Sequence, residues 1–165
     1  MRGTEAAPSS GRSDEGAELL VSVAARLNRI SALLLSWLDV PLTFRQYRTL
    51  SRISGGYTSL SQLAQRGNLS LPTVSENVDG LVRRGLIATA KSAADRRAIV
   101  LSITDAGRDA AVAGQQAIDG FVGSLLAELS AAERQELQRL LGIIYDSATN
   151  YFEQNFSDRS SETLN

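Results

Sequence analysis

Between Thr43 and Ile103 the spacing of apolar residues switches once, from a helical to an alternating period, and glycines and polar caps bracket the switch. Thr43 to Ile53 reads as a short helix broken by Gly55-Gly56. Ser59-Leu60-Ser61-Gln62 has the capping-box pattern, in which a hydroxyl and an amide three residues apart serve the first free N–H groups, and it opens a helix to Arg66. Gly67-Asn68 makes a tight turn. Ser70 then caps a further helix, with Pro72 in the first turn where a missing N–H is harmless, and Gly85 stops it after Arg84. Beyond Gly85, Leu86 to Ala90 and Ala98 to Ile103 read as strands, with Ile99, Leu101 and Ile103 alternating, joined by the polar loop Lys91 to Arg97.

Helix, turn, helix and then a two-stranded ribbon is the order of a winged helix-turn-helix. Long apolar helices flank it. Leu20, Val23, Leu27, Ile30, Leu34 and Trp37 recur at spacings of three and four, predicting a helix from about Ala17 to Asp39 that Pro41 ends. Thr104-Asp105 opens another, with Ile118, Phe121, Leu125 and Leu129 on one face. Ser130 and Glu133 form a capping box for the last, whose stripe is Leu137, Leu140, Leu141, Ile144, Ala148 and Tyr151. The expected organisation is a disordered arm over 1–16, dimerisation helices over 17–40 and 104–156, a winged helix-turn-helix over 41–103 and a disordered tail over 157–165. The fold class is mainly α with a minor β element. Stripes this apolar exceed what a small monomer buries, so a homodimer is expected over a larger intrachain core.

Composition narrows the chemistry. The chain has no cysteine and no histidine, which removes thiolate nucleophiles, zinc-thiolate sites and the commonest general base. Its one lysine, Lys91, falls in the exposed loop between the strands. No enzyme and no cofactor are expected. The first sixteen residues lack the apolar core of a secretory signal, and no run reaches the roughly 18 apolar residues of a membrane span, so no membrane partner and a cytoplasmic location are expected.

Net charge is −1, which alone suggests no polyanion, yet the charges segregate. Residues 41–103 hold nine basic side chains (Arg45, Arg48, Arg52, Arg66, Arg83, Arg84, Lys91, Arg96, Arg97) against three acidic (Glu76, Asp79, Asp95), net +6, leaving eight against fifteen, net −7, for the rest. A basic centre between acidic flanks fits a module that meets an anion, although a solvated face can be lopsided by chance.

On the helix from Leu71 to Arg84, the 3.6-residue turn gathers Leu71, Val74, Val78, Leu81 and Val82 as the buried side. Thr73, Glu76, Gly80 and Arg83 form the opposite strip, flanked by Ser75 and Asn77. Such a helix offers groups that base edges recognise: Thr73 a methyl for thymine, Asn77 an amide for adenine, Glu76 an acceptor for the cytosine amino group. Glu76 has an equal reading as a solvated carboxylate paired with an arginine, because phosphates repel it. Thr73 and Ser75 also suit a first helical turn without any contact. The loop tip Asp95-Arg96-Arg97 would carry arginine into an A·T-rich minor groove; an isolated tripeptide of this kind would read as an ordinary turn, but here the reading helix lies just upstream.

Leu42-Thr43 through Gln46, Leu60 to Ala64, Pro72 to Ser75, Leu81 to Leu86, and Asp95-Arg96-Arg97 to Ile103-Thr104-Asp105 and Gly107 occur in an order that resembles the MarR family over roughly Ala17 to Phe152. The resemblance implies a repressor that binds double-stranded, pseudo-palindromic DNA as a homodimer, with Pro72 to Asn77 in the major groove and Arg96 and Arg97 in the flanking minor groove. Ser70, Arg83, Lys91 and Asp95 complete the expected DNA-contacting set. It also implies release by a small phenolic or anionic effector, for which Trp37, Phe44, Arg45 and Tyr47 are the candidate pocket residues, with membership of the core as their alternative. A winged-helix module that binds protein instead of DNA is the competing reading.

Overall fold

A computed structural model describes residues 11–91 and 99–156. Six helices and one hairpin follow in the order α1 (Gly11–Ser36), α2 (Phe44–Ser54), α3 (Leu60–Gly67), α4 (Leu71–Arg83), β1 (Ile87–Lys91), β2 (Ile99–Ile103), α5 (Asp105–Ala127) and α6 (Ala131–Phe156).

Local chemistry sets the boundaries of the central module. Thr43 and Ser59 each close a capping box, with Gln46 and Gln62 as the reciprocal partners, and the Ser70 hydroxyl accepts from the Thr73 N–H. Asn68 ends α3 in the left-handed region (φ 50°), where a short amide side chain is tolerated. Gly85 (φ 70°) performs the same turn after α4. The hairpin is antiparallel, with Ile87 opposite Ile103, Thr89 opposite Leu101 and Lys91 opposite Ile99.

One core joins these elements. Leu42, Tyr47, Leu50, Ile53, Leu63, Val74, Val78, Leu81, Leu86, Ile87 and Leu101 are buried together, and α1 and α5 reach the cluster through Leu35, Ala110 and Ala111. Small residues let α5 approach. A methyl at Gly107 would drive into the Leu86 carbonyl, and one at Gly114 would lie 2.8 Å from Tyr47 Cδ2. The hairpin is anchored on both sides, by Leu101 N–H to the Thr58 carbonyl (2.8 Å) and by Thr104 N–H to that of Leu86 (3.2 Å).

The outer helices are packed differently. α6 buries no residue, and Leu140, Leu141, Ile144 and Tyr151 of its expected stripe all face outward. On α1, Leu20, Val23, Leu27 and Ile30 are exposed, and Trp37, just past its end, is 75% exposed.

Three expectations change. α1 begins at Gly11, so residues 11–16 of the expected arm are helical; residues 1–10 and the tail 157–165 lie outside the described residues. Leu71, expected inside α4, is 38% exposed. Glu15–Ser36, with a mean hydropathy of 1.5, is long and apolar enough by length and composition to cross a membrane. Arg26 lies at the middle of that segment, where a charge costs about 2.5 to 3.5 kcal/mol in a bilayer, with Arg29 one turn on.

Candidate nucleic-acid interface

Val74, Val78 and Leu81 seat α4 in the core, which fixes the rotation of the helix and leaves its other side at the surface. Pro72, Glu76 and Arg83 are exposed, while Thr73, Ser75 and Gly80 are half-buried. The strip Thr73, Glu76, Gly80 and Arg83 lines a shallow concavity whose far wall is the start of α2, at Thr43 and Arg45. Arg45 thus joins the expected strip. At the N-terminal end the Ser70 hydroxyl is shared between the Thr73 N–H (3.4 Å) and the Thr73 hydroxyl (2.8 Å), so both residues order the first turn of α4.

Asn77 stands apart. Its Nδ2 donates to Thr49 Oγ1 at 2.7 Å, and Thr49 is buried on α2. The amide expected to read adenine ties the reading helix to the helix beneath it. Glu76 has no ion-pair partner among the described residues, where ion pairs form only at Arg108–Asp105 and Arg139–Glu136. Glu76 is exposed, as its reading as a solvated carboxylate requires, and no described arginine pairs with it. Lys91 is exposed at the end of β1; Asp95, Arg96 and Arg97 lie outside the described residues.

The expected effector residues do not form one pocket. Trp37 is exposed, whereas Tyr47 is buried and donates to Gln115 Oε1 (2.6 Å), a core role. Phe44 and Arg45 instead border a groove between α1 and α2, with Asn28, Arg48, Arg52 and Leu69. Arg52 is held tightly there. Its Nη2 donates to the Arg66 carbonyl (3.4 Å), a methyl at Gly67 would come within 2.8 Å of Nη1, and Nε is buried without a partner among the described residues. Burial first, then the neighbouring Arg48 and Arg66 charges, push the Arg52 guanidinium below its ordinary basicity.

The role of Arg84 escapes sequence reasoning. Arg84 donates to the Pro41 carbonyl (2.6 Å) and to Gln46 Oε1 (3.0 Å), joining the end of α4 to the start of α2. The Thr43-to-Gln46 spacing is itself a capping-box signal, but nothing local connects it with Arg84.

The family model described as MarR family matches residues 40–98. The transcriptional regulator AdcR of Streptococcus pneumoniae is 34% identical over 70 residues, 42% of this chain, and that match spans about half (48%) of the relative's length. Among solved structures, Streptococcus pneumoniae FabT in complex with DNA has a TM-score of 0.77 at 21% identity, covering 84% of this chain and 98% of that one. Wild-type MarR in its apo form from E. coli has a TM-score of 0.65 at 23% identity, covering 85% and 98%. At these identities the structures speak for the fold. The matched family and fold are those of transcriptional regulators, which are not enzymes. The family model thus matches the central module, and the fold of the described residues is the winged-helix fold of these MarR-type structures.

Proposed function

We propose that the chain is a cytoplasmic transcriptional repressor that binds a pseudo-palindromic DNA site as a homodimer. The observation that carries this is α4: its apolar stripe is locked into the core, its polar strip is open beside Arg45, and the surrounding segment 41–103 is net +6 in a chain that is net −1. In this reading Pro72, Thr73, Ser75 and Glu76 face base edges from the major groove. Arg45, Arg83 and Lys91 meet phosphates, and Arg96 and Arg97 enter the minor groove. Asn77 and Ser70 hold the helix in shape for that task. The apolar faces left open on α1 and α6 support the dimer, since a second copy offers the same faces and closes both sets by twofold symmetry.

For the effector, the groove at Phe44, Arg45, Arg48 and Arg52 replaces the expected four-residue pocket. Three guanidiniums meet there with no carboxylate ion-paired to them among the described residues, which favours a small anion over a neutral phenol.

The test is a fluorescence anisotropy titration of the full chain with a duplex recovered by selection from a random library, beside a scrambled duplex, at several salt concentrations. Specific regulators reach Kd values of about 10⁻⁸ M or tighter at physiological salt, and log K falls with log salt by about 0.9 per phosphate contact. Equal, weak binding of both duplexes would sink this reading and favour the protein-binding module.

A further inference from the structure

Arg84 occupies a position that its exposure disguises. As the C-cap of α4 it follows Arg83 of the reading strip, and it is not itself among the residues lining the concavity but is bonded to Gln46, which is. The guanidinium spans two acceptors. Nη2 donates to the Pro41 carbonyl at 2.6 Å and Nη1 to Gln46 Oε1 at 3.0 Å. The same Gln46 oxygen accepts the Thr43 N–H (3.1 Å), and the Gln46 N–H bonds the Thr43 hydroxyl (3.1 Å), so Arg84 plugs into the cap of α2. Pro41 belongs to the short segment between α1 and α2, and the next residue is bonded back to α1 through Leu42 N–H to the Leu35 carbonyl (3.0 Å). One side chain therefore links the end of the reading helix, the start of α2 and the chain arriving from the outer helix. Lysine could not do this, because the two acceptors are met by two nitrogens of a planar fork and an ammonium offers a single point.

We propose that Arg84 is a positioning residue: it latches α4 to the α1–α2 junction and thereby sets how far apart the two reading helices stand in the dimer. The proposal rests on the regulator reading above. Half-sites about one helical turn apart demand a fixed separation of the two reading helices, and that separation passes from one α4 to the other through the outer helices. Pro41 lies on this path. The core fixes the rotation of α4, and the latch adds a constraint at its far end, where Gly85 turns the chain away.

The competing role for an exposed arginine is a phosphate contact, and the two differ in what they leave behind. Wild type, Arg84→Lys and Arg84→Gln are titrated as full chains against the selected duplex and against versions with one base pair added to or removed from its centre, each at several salt concentrations. For a latch, both variants lose the preference for the original spacing, by on the order of tenfold, the scale of one mismatched base pair. Arg84→Gln also keeps the wild-type salt slope, and amide exchange quickens at 41–46 and at the end of α4 but not along α5. Loss of a phosphate contact would instead lower the slope by about 0.9 per subunit with the spacing preference intact, and lysine would restore binding. Either a rescued Arg84→Lys or that lower slope overturns the latch. A wild type that prefers no duplex overturns the regulator reading first, and the latch's function with it.

Discussion

Replacing Asn77 by alanine separates two roles that its place on the reading helix allows. The amide donates to Thr49 Oγ1 at 2.7 Å, and Thr49 is only 4% exposed, so the acceptor end of this part-buried bond is shielded from water. A neutral hydrogen bond of this kind contributes a net 0.5 to 1.5 kcal/mol or so, and stranding a buried hydroxyl costs about 1 to 3. The stranded threonine has some relief, because in a helix its hydroxyl can turn to a carbonyl one turn back. Alanine also returns a few tenths of a kcal/mol in helix propensity, roughly half a kcal/mol at most. The expected net loss for Asn77→Ala is therefore about 1 kcal/mol. For a domain of this size that lowers Tm by roughly 2 to 4 °C.

A double-mutant cycle isolates the bond. Thr49→Val, Asn77→Ala and the double variant are unfolded in urea at one protomer concentration, since a dimer's stability depends on it. The structure predicts that the double variant loses less than the sum of the singles, by about 1 kcal/mol, well above the ~0.3 to 0.5 expected for independent sites. Simple additivity would refute the reasoning: the amide would then be free of Thr49 and able to reach DNA. DNA titrations supply the second half. An orienting Asn77 weakens all sites alike when lost, whereas a base-reading one costs about 1 to 3 kcal/mol at one base pair and relaxes the preference there.

Gly107→Ala gains about 1 kcal/mol of helix propensity but overpacks against the Leu86 carbonyl, which no rotamer change relieves; a net loss of roughly 1 to 3 kcal/mol is expected by urea melt, and a neutral result would show that α5 can shift. Ile144→Glu puts a charge on the open face of α6, and sedimentation should find the wild type dimeric and the variant monomeric at micromolar concentration; a dimeric variant would move the interface elsewhere. Hydrogen bonds from the Ser130 hydroxyl (2.7 Å) and N–H (2.8 Å) hold the Glu133 carboxyl below the ordinary carboxylate range. The capping box therefore stabilises α6 fully above that range and loses its contribution as pH falls below it, and Ser130→Ala should return Glu133 toward its ordinary titration in a carbon-13 NMR experiment.

The central module was legible because each of its boundaries is written locally, in the caps at Thr43, Ser59 and Ser70 and the turns at Asn68 and Gly85. The outer helices were legible in period only, since a stripe tells which side is apolar and not what covers it. On α4 the two residues whose surroundings the sequence left open share one geometric position. Leu71 and Asn77 lie about 60° to either side of Val74 at 100° per residue, so both stand at the edge of the buried stripe, and residue type alone assigns leucine inward and asparagine outward. The neighbours decide otherwise for Leu71 and add an inward bond to an Asn77 that still borders the concavity. Thr49 offers Asn77 a buried oxygen from 28 residues back, while Leu71, at the first turn, is left at the surface. Arg84 repeats the lesson at longer range, for its partners lie 38 and 43 residues upstream. No spacing reveals such a pair. What distinguishes an arginine that touches DNA from one that aims the residues that do is the acceptor it already holds.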